Sequence, residues 1–453
     1  MRRRKEPKTP LDRLTTEILL LILEQITTPL DLSNVCLVSH RLYLHAVPRL
    51  YRNLHLDLSR DSNRRLLRRL AQPTSLIPKL IRELSVEPLK KEHASAALDL
   101  CAVFLRLSHL HRVTWYGFPV APSAILDTLS MRFPRAQFLV TGTHHSDGLR
   151  NDSLPLTEIP HSQILQHPGL LLTWFDFAAT SVEQLYEGFK SDLFGMLTRN
   201  QALKTLYITA PGNAMVEYTD MLYLLQGKCL PRLRDLRVYV NRLRIFTDRE
   251  LQFWRAQGGW AELTILWLDH LPSLIPFLGM TPNLAEMRLR SWNHDDLHII
   301  DEYLDTPLMD SALSSLKTLH FLPDHTQNGL LHQRHVVPFS LLRCATQLQF
   351  LDISRQWFPS DVPIESRSMP TATEIQEIRR CCPGLTTLRL NLAFIGKWSE
   401  WPHEILTELA RFEEPIKLEI FLNRKHTMSA RSMTTRTKYH NAAQHIRKER
   451  RRR

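Results

Sequence analysis

The sequence predicts an α/β fold in two parts. A small module of three helices comes first, followed by an irregular solenoid of stacked repeats that share a parallel sheet. Three observations predict it. Residues 14–42 contain a helix that is apolar on nearly every side, a proline turn and a second apolar segment. From about residue 76 onward one short apolar phrase returns again and again. The charge of the chain, +12 overall, is concentrated in its two ends. The expected organisation is a basic tail over 1–10, the helical module over 11–56, the repeat domain over 57–423 and a basic disordered tail over 424–453.

The module is read from LTTEILLLILEQITTPLDLSNVCLVSHRL, Leu14 to Leu42. Leu14, Ile18, Ile22 and Ile26 recur every four residues and so share one helical face. Leu19, Leu20, Leu21 and Leu23 fill most of the remainder, leaving Glu17, Glu24 and Gln25 as polar relief. A surface helix normally has one apolar stripe and one wet face. A helix this apolar needs cover on two sides, and a partner protein can supply the second.

This segment resembles an F-box, the helical module that docks a substrate receptor onto the Skp adaptor of a cullin–RING ubiquitin ligase. Leu14, Glu17, Ile18, Leu19, Ile22, Leu30, Leu32, Val35, Val38, Ser39 and Leu42 occupy matching motif positions. Thr15 stands where the family usually has proline, and a threonine hydroxyl can cap that helix end instead. His40 stands where arginine or lysine is common. Val47 to Leu56 resembles the lead-out of fungal members. The resemblance covers about a tenth of the chain. It implies adaptor contact by Leu14, Ile18, Leu19, Ile22, Leu30, Leu32, Val35, Val38 and Leu42, with Leu19, Ile22, Leu32 and Val38 foremost. The competing reading of the same residues is an ordinary buried helical hairpin.

The phrase of the body is Leu-x-x-Leu-x-Leu. It is clearest at Leu203–Ile208, Leu233–Val238, Leu263–Leu268, Leu284–Leu289, Leu316–Phe321, Leu348–Ile353 and Leu385–Leu390, with weaker copies at Ile81–Val86 and Leu110–Trp115. Steps between the first residues of the clear copies are 30, 30, 21, 32, 32 and 37. Helical patterns fill intervals such as Glu183–Thr198 and Thr373–Cys381, and Pro231, Pro282 and Pro383 precede strands. The closing apolar-x-apolar pair is a short strand with both side chains on one side, and the first leucine packs the turn before it. One such unit cannot bury its apolar face alone, so neighbours must stack. The pattern resembles the leucine-rich repeat family, with longer and less regular steps and without the asparagine that often follows the strand. An ordinary α/β domain is the alternative. A last strand is expected within Phe412–Leu422.

The residue between the two strand leucines faces the opposite side of the sheet. In the seven clear copies it is Tyr207, Arg237, Trp267, Arg288, His320, Asp352 and Arg389. Aromatics and arginines are the types enriched where proteins bind proteins. Tyr207, Arg237, Trp267, Arg288, His320 and Arg389 are therefore the candidate substrate-binding residues, with Trp267, Arg237 and Arg288 as anchors.

Other function classes are reduced by what is missing. There is no G-x-S-x-G, P-loop, G-x-G-x-x-G or H-E-x-x-H sequence, and only 14 glycines, so no catalytic residue and no cofactor is expected. The six cysteines form no C-x-x-C pair. His294 and His298 with Asp295 and Asp296 can share a helical face but lack further convergent ligands, so no metal is expected. The apolar run Ile18–Leu23 is too short for a membrane span of about 20 residues, which leaves the Asn151 sequon without use. Residues 1–8 carry a net +4 and 424–453 a net +10, leaving −2 on the body. Nucleic acid is thus expected only non-specifically through the tail, whose Arg447–Arg453 run also fits nuclear import. The expected setting is cytoplasmic or nuclear. The favoured function is a substrate receptor with an unidentified protein substrate, and the alternative is a repeat scaffold without a ligase role.

Overall fold

A computed structural model describes residues 14–87, 94–116, 123–141, 167, 172–178, 187–209, 220–239, 245–268, 271–289, 294–305, 313–321, 339–353, 370–392, 403–412 and 416–422. Both basic tails, the Asn151 sequon and the Arg447–Arg453 run lie outside these residues, as do the side chains of His294–His298. By internal packing the chain forms two units, 1–178 with 192–203, and 179–191 with 204–453. Helices alternate with strands, and every strand pair within each unit is parallel.

The first unit opens with α1 (Thr16–Gln25), α2 (Pro29–Val38) and α3 (His40–Leu50). There follow β1 (Asn53–Asp57), α4 (Asp61–Ala71), β2 (Glu83–Glu87), α5 (Ala94–Phe104), β3 (Arg112–Tyr116), α6 (Ser123–Arg132), β4 (Gln137–Thr141) and β5 (Leu172–Ala178). The first parallel strand thus precedes residue 57, where the repeat domain was expected to start. Two strands carry no recognisable phrase. In β4, Arg135 occupies the slot of the leading leucine. In β5, Thr173 is an extra residue, because Phe138 pairs with Leu172 and Leu139 with Trp174. Such a bulge breaks the two-residue alternation on which the pattern depends.

Helix α7 (Glu187–Arg199) carries residues of both units. The second unit continues through β6 (Thr205–Thr209), α8 (Leu222–Leu225), β7 (Asp235–Tyr239), α9 (Asp248–Ala256), β8 (Ile265–Leu268), β9 (Glu286–Leu289), α10 (His294–Leu304) and β10 (Thr318–Phe321). It ends with α11 (Phe339–Cys344), β11 (Phe350–Asp352), α12 (Ala372–Cys381), β12 (Thr387–Leu392), α13 (His403–Ala410) and β13 (Lys417–Leu422). All seven clear copies of the phrase fall on strands of this series, that at Leu348–Ile353 ending one residue past β11, and β13 falls within the expected Phe412–Leu422.

Register explains why the phrase recurs. Leu206, Leu236, Leu266, Met287, Leu319, Leu351 and Leu388 form one unbroken row across neighbouring strands, and all are buried. The leading leucines, Leu203, Leu233, Leu263, Leu284, Leu316, Leu348 and Leu385, are buried as well. Full burial of one such side chain contributes roughly 2 kcal/mol, so the rows supply the main cohesion of the stack. Most leading leucines also close a turn by donating N–H to the carbonyl three residues back, as Leu263 does to Trp260 and Leu385 to Cys382. One lead-in carbonyl per strand then accepts two N–H groups from the next: Lys204 from Arg234 and Asp235, Arg234 from Thr264 and Ile265, Thr264 from Ala285 and Glu286. The same double bond recurs at Ala285, Lys317 and Gln349.

Helix starts are capped by sequence. Thr247 with Glu250 and Thr371 with Glu374 form capping boxes for α9 and α12, each satisfying two otherwise unpaired donors. Glu250 does more. Its carboxylate also accepts from the Met221 N–H at 2.8 Å and meets Lys190 Nζ at 2.8 Å, with Lys190 and Glu250 fully buried. Burial lowers the Lys190 pKa against the pull of Glu250. Gly258 takes φ 72°, and a Cβ on Gly259 would collide with the Trp254 ring. That turn lets Trp254, Trp260 and Phe277 pack in sequence with centroids 4.7 and 4.6 Å apart.

Candidate interaction surfaces

The N-terminal helices are short, and each is capped by a side chain the sequence supplies. The Thr15 hydroxyl accepts from Ile18 N–H, Thr28 from Asp31 N–H at 3.1 Å and Ser39 from Leu42 N–H at 3.2 Å. Pro29 occupies the first turn of α2, where its missing N–H costs nothing. Two arginines of α3 fasten α1 at both ends: Arg41 donates to the Leu14 carbonyl at 2.6 Å and Arg49 to the Glu24 carbonyl at 3.0 Å. Leu23, Leu32 and Ala46 form the centre, with Ile26, Val35, Cys36 and Leu50 around it.

The inward face of α1 is Leu19 and Leu23, with Ile26 just beyond the helix; of the i+4 row Leu14, Ile18, Ile22 and Ile26, Ile18 and Ile22 point outward. Leu19 (1% exposed), Leu32 and Leu42 are buried inside the module, so these three expected contact residues have almost no side-chain surface to offer a partner. Leu14 and Val35 are half-buried. Of the expected contacts, Ile18, Ile22, Leu30 and Val38 are exposed. Leu20, Leu21, Leu37, Tyr43 and Leu44 join them, and Leu37 is 83% exposed. These nine are more than half of the sixteen large exposed apolar side chains among the described residues, gathered on three helices. Soluble proteins rarely leave such density uncovered.

The second surface is the sheet face of the second unit. Tyr207, Arg237, Trp267, Arg288, His320, Asp352 and Arg389 stand side by side in register across β6–β12, and Glu419 of β13 extends the row. The row expected from the phrase is therefore a spatial row. Its members engage one another closely. The Arg237 guanidinium lies 3.9 Å over the Trp267 ring and Arg288 lies 5.0 Å from it. Tyr207 meets Trp267 edge to face at 6.3 Å, and the indole N–H donates to Glu286 at 3.0 Å.

The charges of this face are held within it. Arg237 donates through two nitrogens to Asp235 at 2.8 and 2.7 Å. Burial opposes its charge, but the Asp235 carboxylate outweighs burial and raises the guanidinium pKa. His320 Nδ1 lies 3.2 Å from Asp352, while Arg389 reaches Glu419 at 2.6 Å and Asp352 at 3.7 Å. Arg389 also covers the Phe350 ring at 4.9 Å. Lys417 meets Glu419 at 2.6 Å. Tyr207 and Asp352 are buried and Arg237, Trp267, Arg288, His320 and Arg389 half-buried. The face is not one of arginines alone: carboxylates of the row before (Asp235, Glu286) and of the row itself (Asp352, Glu419) accompany the cations. Asp235 and Glu286 were visible from the sequence as same-face neighbours two residues ahead of Arg237 and Arg288; that Glu286 accepts from Trp267 needed the register.

Among the described residues no group of three or more His, Cys, Asp or Glu side chains is placed to hold a metal ion, and no helix is long and apolar enough to cross a membrane. Compared with models of known protein families and with curated sequences, the chain matches none.

Proposed function

We propose that this chain is the substrate-recognition subunit of an SCF-type cullin–RING ubiquitin ligase. The helices α1–α3 dock on the Skp adaptor, and the leucine-rich-repeat-like domain captures a protein substrate. The observation that carries the reading is the exposed apolar surface of α1–α3, on a segment whose sequence resembles an F-box. A capping repeat of a solenoid would turn a polar face outward, which α1 does not. The serial parallel strands of the second unit, with leucine rows in register, support a repeat domain later in the chain than the module. The chain itself carries out no bond chemistry in this reading. It holds a target near a charged enzyme and raises the effective concentration of the target lysine.

The test is co-purification with the Skp adaptor, comparing the intact chain with a Leu21→Ser/Leu37→Ser variant. These positions are outside the module core, so the variant keeps its fold, whereas deleting residues 11–56 would also remove strand β1. Stoichiometric recovery lost in the variant is the expected result. Absence of recovery from the folded intact chain would overturn the ligase reading and leave a repeat scaffold.

A further inference from the structure

The outer helices of the first unit carry a surface to which neither α1–α3 nor the row Tyr207 to Glu419 contributes. Helix α4 reads DSNRRLLRRLA. Leu67 and Leu70 are buried on its inner side, while Arg65, Arg68 and Arg69 are exposed. Arg64 is paired with Asp61, and Arg60, just before the helix, with Asp57. The guanidinium groups of Arg65, Arg68 and Arg69 form no ion pair or hydrogen bond among the described residues. The elements packed beside this helix, α5 and then α6, carry exposed apolar side chains in turn. Arg106, just beyond α5, donates to the carbonyls of Leu70, Gln72, Pro73 and Ser75 in the segment leaving α4. Arg132 at the end of α6 donates to the Leu105 carbonyl. These bonds tie together the segments that carry Leu76, Leu105 and Met131, each at or beyond the end of one of three successive helices. The three are 69%, 56% and 75% exposed. Leu98, two turns before Leu105 on α5, is exposed on the same side.

We infer that this surface docks an acidic amphipathic segment of a partner protein. Charge complementarity names the occupant: three guanidiniums without a partner among the described residues call for carboxylates, which arginine engages with its planar fork. The exposed leucines and methionine call for an apolar stripe on the same segment, and arginine and methionine are enriched at protein interfaces. A nucleic acid would satisfy the arginines alone and leave the apolar patch wet. The inference stands whether or not α1–α3 bind an adaptor.

The experiment uses the full chain and a fluorescent helical peptide of about 18 residues, roughly five turns, with a leucine stripe beside a glutamate stripe. A scrambled peptide of equal composition and a duplex DNA are the comparison probes. The amphipathic peptide is expected to bind at least roughly tenfold more tightly than the scrambled one. Both Arg65→Glu/Arg68→Glu/Arg69→Glu and Leu76→Ser/Leu105→Ser/Met131→Ser are expected to remove that preference, with thermal midpoints unchanged because all six side chains are exposed. Equal binding of both peptides, loss in only the charge variant together with loss of DNA binding, or a dimer dissolved by the charge variant would each overturn the inference. The second result would indicate a phosphate backbone as the ligand and the third a second copy of the chain.

Discussion

The helices α1–α3 and the sheet face of β6–β13 are both rich in residues that proteins use to bind proteins, yet they treat those residues in opposite ways. On the helices the outward leucines, isoleucines and valine are exposed among the described residues, and the polar bonds are spent on holding helix ends together. On the sheet the arginines and the tryptophan are stacked, bidentate or hydrogen-bonded to their own neighbours. Composition alone would rank the two surfaces together. What separates them is whether the binding capacity has already been consumed inside the chain. Burying exposed apolar area against a partner yields free energy roughly in proportion to that area, whereas a partner of the sheet face must compete with interactions already made.

The comparison can be broken by substitution. The largest expected effect is on the inner side of the module: Leu23→Ala should cost about 2–5 kcal/mol, read as a lowered denaturant midpoint together with loss of adaptor recovery. A cost below about 1 kcal/mol would show that the module is not held by this core. Next comes Asp235→Ala, which strands the half-buried Arg237 and should cost about 3 kcal/mol by the rule for broken buried pairs. If the variant instead melts like the parent and a substrate is lost, the sheet face is an interface first and a structural device second. Smaller is Leu21→Ser/Leu37→Ser, expected to shift stability by no more than about 0.5 kcal/mol while removing adaptor binding. A large stability loss there would mean that these leucines are covered within the chain. Smallest is Lys417→Ala, whose exposed pair with Glu419 should contribute under about 0.5 kcal/mol, fading in high salt.

The parallel strands of the second unit were largely legible because those from β6 to β12 obey one local rule, an apolar residue at every second position after a buried leucine. From Leu203 to Leu390 that rule located every strand. It failed at β4 and β5, where Arg135 takes the leading position and Thr173 adds a residue. The row Tyr207 to Arg389 was legible for the same reason, but its mutual satisfaction was not. Stacking of Arg237 on Trp267 and the bond from Trp267 to Glu286 depend on which strands adjoin and in what register. In α1 the difficulty was the reverse. Where nearly every position is apolar, periodicity does not select the inner face; contact with α2 and α3 does, and it chose Leu19 and Leu23 over Ile18 and Ile22.

The lead-in carbonyl that accepts two N–H groups from the following strand acts as an index mark, one residue per repeat. From Lys204 to Gln349 the mark passes along the stack although 21 to 37 residues separate successive phrases. Spacing and alignment are thereby uncoupled. The chain can lengthen or shorten the excursion between two strands without turning a single leucine out of the core, so the segments between strands are free to diverge under selection while the frame that carries them stays the same.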